Sequence, residues 1–181
     1  MDIIYIILLV LLIVIFIILA MYNKLIRLLN KVKKSEAGID IYLNQRFDLI
    51  PNLVECVKGY SNHESSTLEE IVNLRNNYNK TSGLNIRQAN EINNDLNKIL
   101  AIAEAYPELK ASEQYLNLQT NLAEIETKLE YARNNYNNDV TNYNIATESV
   151  PTNIIASMFN FKKKELFKID NNRRENVKLE F

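Results

Sequence analysis

From Ile3 to Met21 the chain runs for nineteen residues without a charge, most of them Ile, Leu, Val or Phe. As a helix rising about 1.5 Å per residue, this segment is roughly 28 Å long, close to the hydrocarbon thickness of a bilayer. Each central aliphatic side chain favours insertion by about 0.3 to 0.6 kcal/mol, so the run as a whole prefers lipid to water. A cleavable signal peptide has a basic start, a shorter apolar core and a small-x-small cleavage site. Here Asp2 precedes the run, and Leu19-Ala20-Met21-Tyr22 offers no such site. The expectation is an uncleaved transmembrane anchor over residues 1–22, with Ile3 to Met21 in contact with the lipid bilayer.

The flanks predict an orientation. Lys24, Arg27, Lys31, Lys33 and Lys34 all follow the span before the first acid, Glu36, whereas the other side carries only Asp2 and the terminal amine. The positive-inside rule then places the C-terminal part in the cytoplasm of a single-pass cell-membrane protein. Residues 22–181 hold 21 basic and 21 acidic side chains, because Asp2 is the only charge before them. A neutral domain has no general electrostatic attraction for a phosphate backbone, so no nucleic-acid partner is expected.

The scarce residue types exclude more. With three glycines, three prolines and no tryptophan in 181 residues, the chain lacks the turn positions that a sheet-rich fold consumes. Gly38, Gly59 and Gly83 are too far apart for a phosphate-cradling loop. One cysteine, Cys56, and one histidine, His63, cannot close a four-ligand zinc site within one chain. No metal, no cofactor and no enzymatic activity are expected.

After the anchor the periodicity is helical throughout. Leu25, Leu29, Val32, Ile39, Leu43, Phe47, Ile50, Val54 and Val57 step mostly by three, four or seven, extending the first helix to about Tyr60. Pro51 interrupts its hydrogen-bond ladder and predicts a kink between Phe47 and Pro51, with Asp48 as N-cap for the restart at Leu49. Residues 61–67 read as a polar turn. Ser66 with Glu69, or Thr67 with Glu70, forms a capping box for a second helix over 67–80. Its inward positions are Leu68, Ile71, Val72, Arg75 and Tyr78. A third helix over 86–104 places Ile92, Leu96, Ile99 and Ala103 on one face. Pro107 suits the first turn of a fourth. That last helix carries Tyr115, Leu118, Leu122, Ile125, Leu129, Ala132, Tyr136, Val140 and Tyr143 in uninterrupted steps and ends near Val150-Pro151. The expected architecture is all-α: the transmembrane helix, then an antiparallel up-down four-helix bundle over 23–150 with long first and last helices, then a tail over 151–181.

Several stretches resemble the LemA family. They are Arg46-Phe47-Asp48-Leu49-Ile50-Pro51-Asn52-Leu53-Val54 with His63-Glu64, then Glu104-Ala105-Tyr106-Pro107-Glu108-Leu109-Lys110-Ala111. The third is Ala132-Arg133-Asn134-Asn135-Tyr136-Asn137 with Val140, Tyr143 and Asn144. The resemblance covers about residues 22–167. One departure is Val150-Pro151-Thr152-Asn153, where the family pattern reads Phe-Pro-Ser-Asn. The resemblance implies a small bacterial single-pass membrane protein with an antiparallel helical-bundle domain, and it implies no particular reaction.

None of the candidate sites assembles chemistry. His63-Glu64-Ser65-Ser66-Thr67 lacks the second histidine of a zinc-protease helix, and Tyr60 stands where a di-iron bundle needs glutamate. Cys56 adjoins the apolar row and reads as a buried small hydrophobe. Asp48 and Asn52 form a polar i, i+4 pair that repairs the proline break. Tyr78, Tyr136 and Tyr143 read as core residues with a satisfied polar end, and Arg75 and Arg133 as structural partners of acids. Neither the pair Glu69-Glu70 nor Glu124 with Glu126 is marked as a general acid and base.

Two surfaces remain. If the helices alternate, the turns at 58–66 and 104–112 share the membrane-distal pole, gathering Lys58, Tyr60, His63, Glu64, Glu104, Tyr106 and Lys110 as a docking patch for a protein partner. A fourth helix returning to the bilayer brings Ile154, Ile155, Met158, Phe159 and Phe161 beside Lys162, Lys163 and Lys164, a composition suited to an anionic interface. The expected function is a non-catalytic, membrane-anchored interaction scaffold. The alternative is an accessory subunit of a membrane-associated enzyme or of protease quality control.

Overall fold

The apolar periodicity that starts in the lipid-length run does not stop at its end. In the computed structural model helix α1 runs unbroken from Asp2 to Asp48. The structure describes residues 2–60, 69, 72, 73 and 86–167. Five further helices follow among them: α2 (Ile50–Lys58), α3 (Ile86–Glu104), α4 (Pro107–Lys110), α5 (Glu113–Glu148) and α6 (Thr152–Met158). Every regular element among the described residues is helical. The turn at 61–67, most of the expected second helix (including Leu68, Ile71, Arg75 and Tyr78), and the side chain of Ile92 lie outside the described residues.

The proline interruption falls where the sequence places it, with a different cap. Leu49, not Asp48, is the N-cap of α2, and no side chain hydrogen-bonds there. Pro51 sits in the first turn of α2, where a backbone N–H would find no intrahelical acceptor, so its missing donor costs nothing. The chain bridges the break with backbone bonds, Leu49 N–H to Arg46 O at 3.3 Å and Leu53 N–H to Leu49 O at 3.0 Å.

The expected long fourth helix is two helices. Pro107 opens α4, and Tyr106 before it is extended, as a residue preceding proline prefers. Four residues later α4 ends. Ser112 accepts a hydrogen bond from the Tyr115 N–H at 3.3 Å, which makes it the N-cap of a new helix, α5. The apolar steps read from the sequence begin at Tyr115, after this cap, and carry no sign of the break before them. Helix α5 is also followed by a helix, α6, in the region read from sequence as a tail.

The described residues divide into two groups, each with its own core: those within 2–37 and 133–166, and those within 38–132 together with Phe167. In the second, Ile39, Leu43, Phe47, Ile50, Leu53 and Val57 are fully buried, as are Leu96, Ile99 and Ala103 of α3 and Leu109 of α4. Helix α2 packs on α3, and α3 on α4. Burying a Leu or Ile side chain stabilises by about 1.5 to 3 kcal/mol, so this row is the energetic centre of the group. In the first group, Leu25, Ala146, Ile155 and Ala156 form a cluster, against which Ile18, Met21, Tyr22, Leu28 and Phe161 pack.

Before that cluster, α1 has no cover from its own chain. Residues 2–17 are all exposed, and the Ile, Leu and Val side chains among them stay between 44% and 74% exposed. Among the described residues this is one helix long and apolar enough to cross a membrane.

Candidate functional site

The end of α5 is where the chain builds its most specific local structure. Helix α5 stops at Glu148, and Val150–Pro151, a cis peptide, carries the chain out of it. Thr152 then turns its buried hydroxyl back, donating at 2.6 Å to Ala146 O and lying 2.9 Å from Ser149 O. It thereby satisfies carbonyls that a helix end leaves without partners. The Thr152 hydroxyl thus pins this end.

Helix α6 ends in a Schellman motif. Asn160 takes the left-handed conformation at φ 58°, Phe161 N–H reaches Ala156 O at 2.9 Å, and Asn160 N–H reaches Ser157 O at 3.3 Å. The hydrophobic contact that accompanies this motif is present too, since Phe161 packs on the cluster containing Ile155 and Ala156. Asn tolerates the left-handed region better than other non-glycine residues, which is why this turn can do without glycine.

Beyond the turn the chain is extended, and α5 holds its backbone. Tyr143 donates its hydroxyl to Lys162 O at 3.0 Å, and Tyr136 donates to Glu165 O at 3.0 Å. Asn144 donates to Lys164 O at 2.8 Å and accepts from Lys164 N–H at 2.9 Å. These bonds lay the segment 162–165 along α5, with Tyr143 holding its first residue and Tyr136 its last. Tyr136 and Tyr143 are buried, as their sequence spacing suggested. Burial raises both phenols above the ordinary tyrosine value, with Glu36 and Glu165 adding to the effect at Tyr136.

With its backbone turned to α5, the lysine run faces outward. Lys162, Lys163 and Lys164 are all exposed, and Lys163 pairs with Glu148. Phe159 is 48% exposed and its ring lies 4.8 Å from that of Tyr22. Phe161 is half-buried, 5.7 Å from the same ring. Two expected members of this surface face inward: Ile155 is buried in the cluster, and Phe161 is mostly occupied by packing. Tyr22 and Asn144 were not foreseen as organisers. Asn144 follows Tyr143 and lies eight residues beyond Tyr136, on the same helix face, which is the signal that could have found it.

The proposed docking residues are placed as follows. Lys58 ends α2, exposed, with Nζ 3.4 Å from Glu69. Tyr60 is 45% exposed just beyond it. Glu104 ends α3 and is exposed, Tyr106 is the half-buried N-cap of α4, and Lys110 ends α4, exposed. His63 and Glu64 lie outside the described residues. The structure brings Glu104, Tyr106 and Lys110 onto one corner between α3 and α5.

Two buried groups complete the polar inventory. Cys56 is buried and its thiol is pushed up, first by burial and then by Glu55, so it is held as the unreactive thiol. Arg46 is 7% exposed and its guanidinium lies 2.7 Å from Glu126. Its burial was missed, although Arg46 falls three residues after Leu43 and four before Ile50 on the buried row.

These features define an all-helical protein whose N-terminal helix is long and apolar enough to span a membrane. The LemA family profile matches residues 35–181, and the chain belongs to the LemA family. It is 27% identical over 161 residues to protein LemA of Metamycoplasma hominis, covering 86% of this chain and 72% of that one. It is also 32% identical over 74 residues to magnetosome protein MamQ 2 of Paramagnetospirillum magneticum, and 30% identical over 74 residues to magnetosome protein MamQ of Magnetospirillum gryphiswaldense. Those matches cover 41% of this chain and 27% of the magnetosome proteins.

Proposed function

We propose that the protein is a non-catalytic, single-pass membrane scaffold that presents an antiparallel up-down four-helix bundle to protein partners on the cytoplasmic side. The observation that carries this reading is helix α1. Residues 3–17 of this helix carry no charge and are left exposed by the chain, and without a break the same helix goes on to supply Leu25, Val32, Ile39, Leu43 and Phe47 to buried cores. Anchor and domain are one element, so a partner held by the domain is held at the membrane. Lys24, Arg27, Lys31, Lys33 and Lys34 are exposed on the turns after the span, which supports the cytoplasmic orientation. The relatives named as magnetosome proteins support membrane association.

The docking patch of this reading is Lys58, Tyr60, His63, Glu64, Glu104, Tyr106 and Lys110. Tyrosine with mixed charge on corners between helices is a common recognition chemistry. The test is site-specific photo-crosslinking from position 60 and from position 110 in native membranes. The reading expects a discrete adduct that Tyr60→Ala with Lys110→Ala abolishes while thermal unfolding stays unchanged. Adducts that persist in the double variant, or a double variant that unfolds at lower temperature, count against a docking role.

A further inference from the structure

We propose that α6 and the lysine run after it form an interfacial foot, a second membrane contact that seats on the anionic headgroup layer of the leaflet from which α1 emerges. The inference rests on the reading of Ile3 to Met21 as the transmembrane segment.

Its position follows from packing. Phe159 and Phe161 both meet the ring of Tyr22, the residue directly after the span, and Ile18 and Met21 pack on the cluster that holds Ile155 and Ala156. Ile18 to Tyr22 covers about 6 Å of helix axis. Helix α6 therefore sits at the level where the span ends, the depth at which tyrosine is favoured in membrane proteins.

Its outer face is apolar where lipid would be. Thr152, Ile155 and Ala156 are buried, while Ile154 is 63% and Met158 62% exposed at i, i+4 on the other face, with Phe159 beside them. The cations come next. Lys162, Lys163 and Lys164 from the foot join Lys24 and Arg27 on α1, all exposed, against the carboxylates Glu148 and Glu165. Apolar groups toward the acyl chains and an excess of ammonium and guanidinium groups at the headgroup level match an anionic leaflet. Continuity with the span argues for lipid over a protein occupant.

The foot is also assembled before it binds. The Schellman turn at Asn160 and the bonds from Tyr136, Tyr143 and Asn144 consume the backbone of the segment and leave its side chains outward. A preformed surface loses less conformational entropy on seating than a coil that folds at the membrane.

The chain has no tryptophan, so a single substitution makes a unique reporter. The full chain is placed in nanodiscs of phosphatidylcholine with phosphatidylglycerol, with and without acyl-brominated lipid, as Leu11→Trp, Phe159→Trp, Met158→Trp or Tyr131→Trp. Position 131 is exposed and lies about 25 Å before the end of α5. Brominated lipid should remove most emission from the first three reporters and leave the fourth unchanged. Lys162→Gln with Lys164→Gln, or replacing phosphatidylglycerol by phosphatidylcholine, should reduce quenching at 158 and 159 and not at 11. If the reporters at 158 and 159 stay unquenched while that at 11 is quenched, the foot is refuted and the anchor stands. If the reporter at 11 is also unquenched, both readings fall. Quenching at 158 and 159 that ignores lipid charge overturns the anionic preference.

Discussion

Tyr136 and Tyr143 each place one hydroxyl on a carbonyl of the extended segment, so each has a measurable share in holding it. A net hydrogen bond stabilises by about 0.5 to 1.5 kcal/mol, and Tyr136→Phe or Tyr143→Phe should cost about that much in chemical denaturation. Both phenols are raised in the folded state, by burial above all. Their protonated form is the one the fold prefers, so their contribution is complete below the unfolded tyrosine value of about 10 and declines as pH rises beyond it. Unfolding followed from pH 8 to 11.5 should show stability falling above about pH 10, less steeply in the double Phe variant. Arg46 poses a different balance, because its guanidinium is buried while the Glu126 carboxylate is 38% exposed. Removing one partner of a fully buried pair costs about 3 to 5 kcal/mol, and solvent at Glu126 reduces that, so Arg46→Met should destabilise by about 2 kcal/mol. Adding Glu126→Gln should recover part of the loss; strictly additive losses in the double variant would show that the pair is not coupled.

The elements are bounded by single residues whose backbone needs differ from their neighbours'. Asn160 holds φ 58° after α6, a conformation that costs a β-branched residue about 1 to 2 kcal/mol. Asn160→Gly should therefore leave stability within about 0.5 kcal/mol, and Asn160→Val should lower it by about 1 to 2 kcal/mol and raise amide exchange at Phe161. Equal effects from the two substitutions would show that the left-handed turn is not what matters. Pro51 occupies a position where it loses no hydrogen bond, so Pro51→Ala should change stability by less than about 1 kcal/mol. Its effect belongs to the junction at Leu49, where a structure of the variant should show the ladder of α1 closing through into α2.

For the whole molecule, the continuous α1 makes topology the first question. A tag at Phe181 should resist protease added outside intact cells and be cleaved after lysis. Cleavage without lysis would invert the orientation, and with it the leaflet that the foot can reach. Much of this protein was legible as a sequence because helices repeat their environment every three or four residues. Leu25, Val32, Ile39, Leu43 and Phe47 could be identified as buried from spacing alone, and they are. Cys56, Tyr136 and Tyr143 were legible for the same reason. The stop at Ala111–Ser112 was not, since the apolar steps begin only at Tyr115 and one side-chain cap decides the break. Leu109 was missed because it belongs to a helix of four residues, too short to show a period.

By itself, the sequence determined the helical class, the lipid-length run and most of the buried positions of α1, α3 and α5, with Leu29 and Ile125 only half-buried. These are consequences of local composition and period, which need no knowledge of what lies opposite. The sequence also located the break at Pro51, because proline acts on its own backbone. Only the tertiary structure decided that residues 152–166 fold back along α5 instead of trailing as a tail. That outcome depends on Tyr143 meeting Lys162, Tyr136 meeting Glu165 and Tyr22 meeting Phe159, pairs separated by 19, 29 and well over a hundred residues. Contacts at such separations leave no periodic trace: two of them satisfy backbone carbonyls, which every residue has, and the third joins rings from opposite ends of the chain.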